Sequence, residues 1–328
     1  MLTPEDIDSI VRNAAEKLHS HYVYPDRGEA IAQGLKTHLE QGRFQTCTTP
    51  EELSEQVTAV LYELSSDRHV RLRYHAAGAP ELSFDPPSEE VIRWWREEER
   101  STNYGFNRLE RLKGNIGYLE LLSFSPAYFA AETAIAAMQF LTNTDAVIID
   151  LRKNGGGDPE MIQMISSYFF DEVTHLNSFY HRPQDSTQQS WTLPYVPGKR
   201  LLKQPIYVLT SSYTFSAAEE FTYNLKNLKR ATIIGEVTRG GAHPGGNVKV
   251  HDLFTVFVPT GRAINPITGI NWEGTGVEPD IQIPAEQALE HAYQDALQKV
   301  LASLPEHAAH DRQRKEIFEA RQTLVAES

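Results

Sequence analysis

Four stretches carry side chains whose types and spacing could do nucleophilic chemistry. The first is PIYVLTSSYTFSAAEEF, residues 205–221. Ile206, Tyr207, Val208 and Leu209 form a short apolar run that reads as a buried strand. After Ser216 the chain turns to helix formers, with Glu219 and Glu220 in a first turn where the helix dipole favours acids. A serine at such a corner can point its hydroxyl into a cleft, beside N–H groups that can face developing negative charge. It can equally be no more than the N-cap of the helix. The second stretch, DLRKNGGGD (150–158), ends an apolar strand in three glycines, so its backbone N–H groups can approach a reacting atom closely. Neither GxGxxG after the first strand nor GxxxxGK[ST] is present, so a phosphate site lacks its usual support. That leaves an oxyanion hole or a plain turn. The third, DRHVRLRYH (67–75), places His69 directly before an alternating strand, as a candidate base or as a surface histidine at a junction. The fourth, NWEGTGVEPD (271–280), sets Glu273 between Trp272 and Gly274, where a carboxylate could orient a histidine or simply be solvated.

The elements that must position these residues follow from periodicity. Residues 3–66 predict a helical bundle. Thr3-Pro4 and Thr49-Pro50 are cap-then-proline starts, and Ile7, Ile10, Val11, Ala14 and Leu18 recur at helical spacing behind the first. Residues 28–41 fit a third helix, and a half-buried strand follows His69. Residues 76–113, rich in Pro, Glu and Arg, read as a connecting segment with one short charged helix. From Asn115 strands and helices alternate: strands at 116–121, 146–151, 206–209 and 231–234, helices at 130–141, 161–170 and after Ser216. This pattern predicts an α/β domain over 114–284 with a mostly parallel core sheet. A strand and turn over 252–261 follow. Residues 285–328 predict a helix to 303 and a charged tail. The resulting division is 1–75, 76–113, 114–284 and 285–328.

Composition narrows the partners. The chain has 328 residues and a formal net charge of −13 spread along its length, which argues against nucleic acid or an anionic membrane surface. No apolar run is long enough to span a bilayer and no signal peptide follows Met1, so a cytoplasmic protein is expected. The one cysteine, Cys47, permits no internal disulfide and no cysteine metal cluster. His243 lies in a glycine-rich loop, RGGAHPGGN (239–247), that could line a cleft. The twelve histidines are scattered and HExxH is absent, so a metal centre is not expected.

The order of these stretches is more specific than any one of them. DRH at 67–69, DLRKNGGGD at 150–158, TSSYTFSAAEEF at 210–221, IGEVTRGGA at 234–242 and WEGTGVEPDI at 272–281 together resemble the tail-specific, or C-terminal processing, serine peptidases of family S41. The branch resembled includes the repeats of interphotoreceptor retinoid-binding protein and covers nearly the whole chain. The resemblance implies a crotonase/ClpP-like α/β spiral behind an N-terminal helical bundle. In the tricorn-like members a serine, a histidine and a glutamate do the chemistry, and these match Ser216, His69 and Glu273. The implied activity is hydrolysis of peptides or unfolded proteins without a cofactor. Ser216 attacks, His69 takes its proton, Glu273 orients the imidazole, and the N–H groups of Ala217 and of Gly156 or Gly155 hold the oxyanion. The alternative is a non-catalytic module carrying small apolar ligands, such as retinoids or fatty acids, on the same fold.

Three departures from that family stand out. Its Ser/Lys members place the lysine in the stretch that reads TRGGA here, and residues 231–247 contain no lysine. The tricorn-like members carry a serine just before the histidine, where this chain has Arg68. About forty residues separate Tyr74 from Gly114, too few for the PDZ domain common in the family, since a domain needs at least ~50.

Overall fold

The computed structural model describes residues 2–80, 82 and 88–327, so part of the proline-rich connecting segment, residue 81 and residues 83–87, lies outside the described residues. The chain divides into two compact units, and the division is not contiguous. One unit comprises Met1–Trp95, Ser178–Gln189 and Gly241–Ile264; the other comprises Arg96–Asn177, Ser190–Gly240 and Asn265–Ser328. The four consecutive segments expected from sequence are therefore cut differently, because two later segments join the N-terminal bundle.

In the first unit, helices Pro4–His21, Pro25–Glu40 and Pro50–Ser65 form the bundle. The first and third open on reciprocal caps. Thr3 Oγ1 accepts from Asp6 N–H at 3.1 Å while Asp6 Oδ2 accepts from Thr3 N–H at 2.9 Å, and Thr49 and Glu52 repeat the arrangement. Each such cap stabilises its helix by about 1 kcal/mol. The second helix begins at Pro25, three residues before the expected Gly28. Strand Leu72–Tyr74 pairs antiparallel with Phe254–Pro259, which pairs in turn with Gly245–His251. Val248, Val250, Phe254, Val256 and Val258 of this small sheet share one core with Ile10, Val11, Ala14 and Leu18 of the bundle.

The second unit holds the six-stranded sheet. Its order is Ile281–Gln282, Thr232–Gly235, Ile206–Thr210, Ala146–Asp150, Ile116–Leu121 and Phe106–Leu112. All neighbours are parallel except the last pair. The three inner strands that begin at Ile116, Ala146 and Ile206 are buried at every position, which is why their sequences are mostly apolar. Helices Ala127–Leu141, Pro159–Ser166 and Ala217–Asn227 contribute to a core on one face. Helices Ala285–Ser303 and Asp311–Glu327 cover the other. Strand Phe106–Leu112 lies where a connecting segment was expected; it is a sheet edge whose charged residues hide its pairing. The mostly parallel sheet and the N-terminal helices agree with the expected fold. No helix among the described residues is long and apolar enough to cross a membrane.

Candidate active site

The register of the parallel sheet sets Asp150 beside Leu209 and Thr210 beside Gly235, so the loops leaving these strands emerge at one edge. Such carboxyl-end edges are where open α/β sheets bind their ligands. The loop after Asp150 is fixed at its root by Arg152, whose Nε and Nη2 grip Asp150 at 2.9 and 2.6 Å, while Tyr118 donates to the same carboxylate at 2.8 Å. The loop after Thr210 is stitched to it. Ser211 Oγ donates to Arg152 O at 2.5 Å, Thr214 Oγ1 to Leu151 O at 2.9 Å, and Phe215 N–H to Asn154 O at 3.1 Å.

Ser216 sits at the corner expected of it, half-buried, directly before helix Ala217–Asn227. Its backbone is not that of an ordinary cap. An N-cap residue normally takes extended dihedrals, whereas Ser216 has φ 56° and ψ −120°. A side chain held there costs about 1–3 kcal/mol. The strand-to-helix elbow that exposes a serine nucleophile is strained in the same way. Gly156 faces this corner with φ +110°, and a Cβ on it would stand 2.9 Å from Ser216 Cβ and 3.0 Å from Phe215 O. Its N–H, however, is donated to Asn154 Oδ1 at 2.8 Å, so Gly156 serves the close approach while its proton is engaged within the turn. The N–H groups of Ala217 and of exposed Gly155 have no acceptor among the described residues.

Glu219 and Glu220 stand in the first turn as expected, and both are buried. Glu219 is an anchor. Its Oε2 accepts from Ser216 N–H at 2.8 Å, and its Oε1 accepts from Thr238 Oγ1 at 2.5 Å and Gly240 N–H at 2.6 Å. Thr238 Oγ1 also accepts from Val277 N–H at 2.7 Å, and Gly274 N–H donates to Gly240 O at 3.1 Å. One carboxylate thereby ties the serine corner to the turn carrying half-buried Glu273, whose own N–H is held by Asn271 Oδ1 at 3.0 Å. Burial pushes the Glu220 carboxyl up to about 8, with the side chains of Asn177 and Asn224 acting in the opposite direction.

His69 belongs to the first unit, as do Asp67 and His243, and all three are buried. Asp67 is the hub. Its Oδ1 accepts the His69 backbone N–H at 2.9 Å and lies 3.7 Å from His69 Nδ1. Its Oδ2 accepts from His243 Nδ1–H at 2.8 Å and from Tyr22 OH at 3.1 Å. Burial alone would push this carboxyl up; the hydrogen bonds and charge of the two histidines hold it well below the usual carboxylate range. An ionised Asp67 accepts only, which fixes the His243 proton on Nδ1. Burial lowers the His69 imidazole from its ordinary value, against the raising effect of Asp67. Arg68, the residue before the histidine, is exposed and turned onto the Tyr62 ring, 5.0 Å away.

Sequence reasoning assigned no role to Asp67 and placed His243 only in a possible cleft loop. The available signal was Asp-x-His itself, since an Asp carboxylate readily accepts the N–H two residues on.

Comparison with known proteins agrees with this architecture. The profile of peptidase family S41 matches residues 115–283. The N-terminal domain of Peptidase_S41 in eukaryotic IRBP matches residues 3–100. The carboxy-terminal-processing protease of Bartonella bacilliformis is 27% identical over 187 residues, 56% of this chain and 42% of that protein. Among solved structures, mature CPAF superposes with a TM-score of 0.59 at 12% identity, covering 90% of this chain and 99% of that one. The tricorn protease gives 0.56 at 14% identity, covering 96% and 37%. The structural likenesses speak to fold, and the chain spans less than half the length of the Bartonella relative.

Proposed function

Since this chain belongs to peptidase family S41, we propose that it is a serine-type peptidase acting on short or unfolded peptides, with Ser216 as its nucleophile. The observation that carries the reading is the backbone of Ser216, strained at φ 56° on a strand-to-helix corner where a cap would be relaxed. Ser216 Oγ attacks the scissile carbonyl as its proton passes to the His69 imidazole, and Glu273 stabilises the imidazolium. The N–H groups of Ala217 and Gly155 receive the oxyanion; Gly155 is preferred to Gly156 because the latter's proton is already given to Asn154. Protonation of the leaving amine and attack by water on the acyl-enzyme complete the cycle.

One contact favours a second reading of the base. His243 has the Asp-held Nδ1–H that orients a catalytic imidazole, at 2.8 Å, whereas His69 Nδ1 stands 3.7 Å from the same carboxylate. Labelling by a fluorophosphonate tests both. An activated serine reacts and Ser216→Ala does not. If His69 is the base, His69→Ala should lower labelling by about 100-fold or more, and His243→Ala by less. The acid limb of the wild-type profile should fall below 6.5, because a base with a lowered pKa stays neutral to lower pH. Wild-type protein that resists the probe would leave the apolar-ligand module as the function.

A further inference from the structure

The loop that leads to Ser216 carries one side chain that the corner itself does not use. Over residues 211–215, the hydroxyls of Ser211 and Thr214 are spent on Arg152 O and Leu151 O, at 2.5 and 2.9 Å. Tyr213 lies between them and is 55% exposed, although it is one of the larger apolar side chains. Its backbone is fixed all the same. Its N–H donates to Ser211 Oγ at 3.1 Å, Ser212 N–H to Glu236 Oε2 at 2.9 Å, and Thr214 N–H to Ser211 O at 3.0 Å. The hydroxyls of Tyr118, Tyr168 and Tyr207 are engaged by Asp150, Pro197 O and Asp295. That of Tyr213 has no partner among the described residues. The ring rests on the glycine turn. A Cβ on Gly155 would stand 3.5 Å from Tyr213 OH and 3.8 Å from its Cε1, while one on Gly156 would stand 2.9 Å from Ser216 Cβ. Consecutive Cα atoms are about 3.8 Å apart, so the phenol and the serine face one turn at a spacing of one residue. All of these residues lie within the second unit.

A tyrosine offers contact area and a neutral O–H donor at a small cost in rotamer freedom, and a pinned backbone lowers that cost further. An extended peptide advances by about 3.3–3.6 Å per residue, close to the spacing of the two glycines. We propose that Tyr213 is a substrate-binding residue whose hydroxyl donates to the first peptide carbonyl on the acyl side of the scissile bond, with its ring over that peptide plane. The proposal rests on the peptidase reading, because it takes Ser216 as the nucleophile. The acyl side is the part that must stay in register while the amine leaves and water attacks. A neutral donor to a main-chain carbonyl reads no side chain, which suits unfolded peptides of varied sequence.

The test compares covalent probes of the serine on the full chain. One is a simple alkyl fluorophosphonate, and the other is an acetyl-tri-alanyl diphenyl phosphonate, which brings its phosphorus in on a peptide. The quantity read is the ratio of the peptidyl to the alkyl labelling rate, so that changes in Ser216 itself or in the folded fraction cancel. Tyr213→Phe keeps the ring and removes the donor, and should lower the ratio by about tenfold. Tyr213→Ala should lower it further, because the ring is lost as well. A third probe replaces the amide next to the phosphonate residue with a trans-alkene of the same shape. It should already react poorly with wild-type protein and lose nothing more in Tyr213→Phe, since both changes delete one contact. A ratio in Tyr213→Phe within about twofold of wild type overturns the contact. So does an equal further loss with the alkene probe, or a wild-type chain that takes the alkyl probe and refuses the peptidyl one. A wild-type chain that takes neither probe overturns the hydrolase reading and the contact with it, so the two failures are distinguishable.

Discussion

Two turns leave neighbouring parallel strands at the same edge of the sheet, and they solve one geometric problem differently. The turn after Asp150 enters the left-handed region with glycines, Gly156 at φ +110° and Gly157 at φ +141°, where a missing Cβ makes the conformation cheap. The turn after Thr210 enters it with Ser216 at φ 56°, where a Cβ is costly. Glycine was available for both. Keeping a hydroxyl on the strained side and bare backbone on the facing side is what a nucleophile and its anion donors require, and a turn with only a structural role would have no use for the asymmetry.

The comparison can be broken most directly at Ser216 itself. Ser216→Gly should abolish fluorophosphonate labelling while the denaturation midpoint holds or rises, since relief of strain offsets the lost side-chain contacts. A clear loss of stability would show that the serine is there for the fold. Gly156→Ala makes the reciprocal change. Its Cβ would collide with Ser216 Cβ and Phe215 O, so both labelling and stability should drop, the latter by about 2 kcal/mol or more. Gly155→Ala, 3.5 Å from its nearest atom, should be milder in stability.

A smaller effect tests the buried acid on the same helix. Glu220 holds its proton in the fold to about 8 against an ordinary 4.5, with Asp158 as the charged group acting on it. Native protein then binds more protons than unfolded protein between those values, so this group's contribution to stability is full below 4.5 and lost as pH rises through about 8. Glu220→Gln should flatten that decline in urea melts taken across the window. An identical slope in wild type and variant would mean that the carboxyl is ionised in the fold. The smallest effect is expected at Lys226, the nearest lysine after Ser216 on its helix. It is engaged by Glu278 O at 2.6 Å and Asp280 at 2.9 Å, so Lys226→Met should leave labelling within about twofold. A collapse there would point to a Ser/Lys dyad.

The sheet was legible in sequence because strands buried on both faces cannot avoid being apolar, as in Ala146–Asp150 and Ile206–Thr210. The capped helices were legible because Thr-Pro-Glu spells its own hydrogen bonds. Strand Phe106–Leu112 was not, since an edge strand needs little apolar surface, and neither was the recruitment of 241–264 to the bundle, which no local rule encodes. At the site the corner could be read but its strain could not, because dihedrals leave no mark on composition. Asp67 was missed for a related reason. A carboxylate in a polar tripeptide looks solvated until its partners, Tyr22 and His243, arrive from distant parts of the chain.

The interrupted chain path of the first unit has a consequence during synthesis. The bundle and strand Leu72–Tyr74 leave the ribosome first, yet the strands that complete their core, Gly245–His251 and Phe254–Pro259, follow about 170 residues later. At about 5–20 residues per second, the apolar face that receives Val248, Phe254 and Val256 stays uncovered for on the order of ten to thirty seconds. Chaperone dependence in this protein should therefore be set by the first seventy residues rather than by the larger sheet, and a bundle expressed alone should behave as an adhesive fragment.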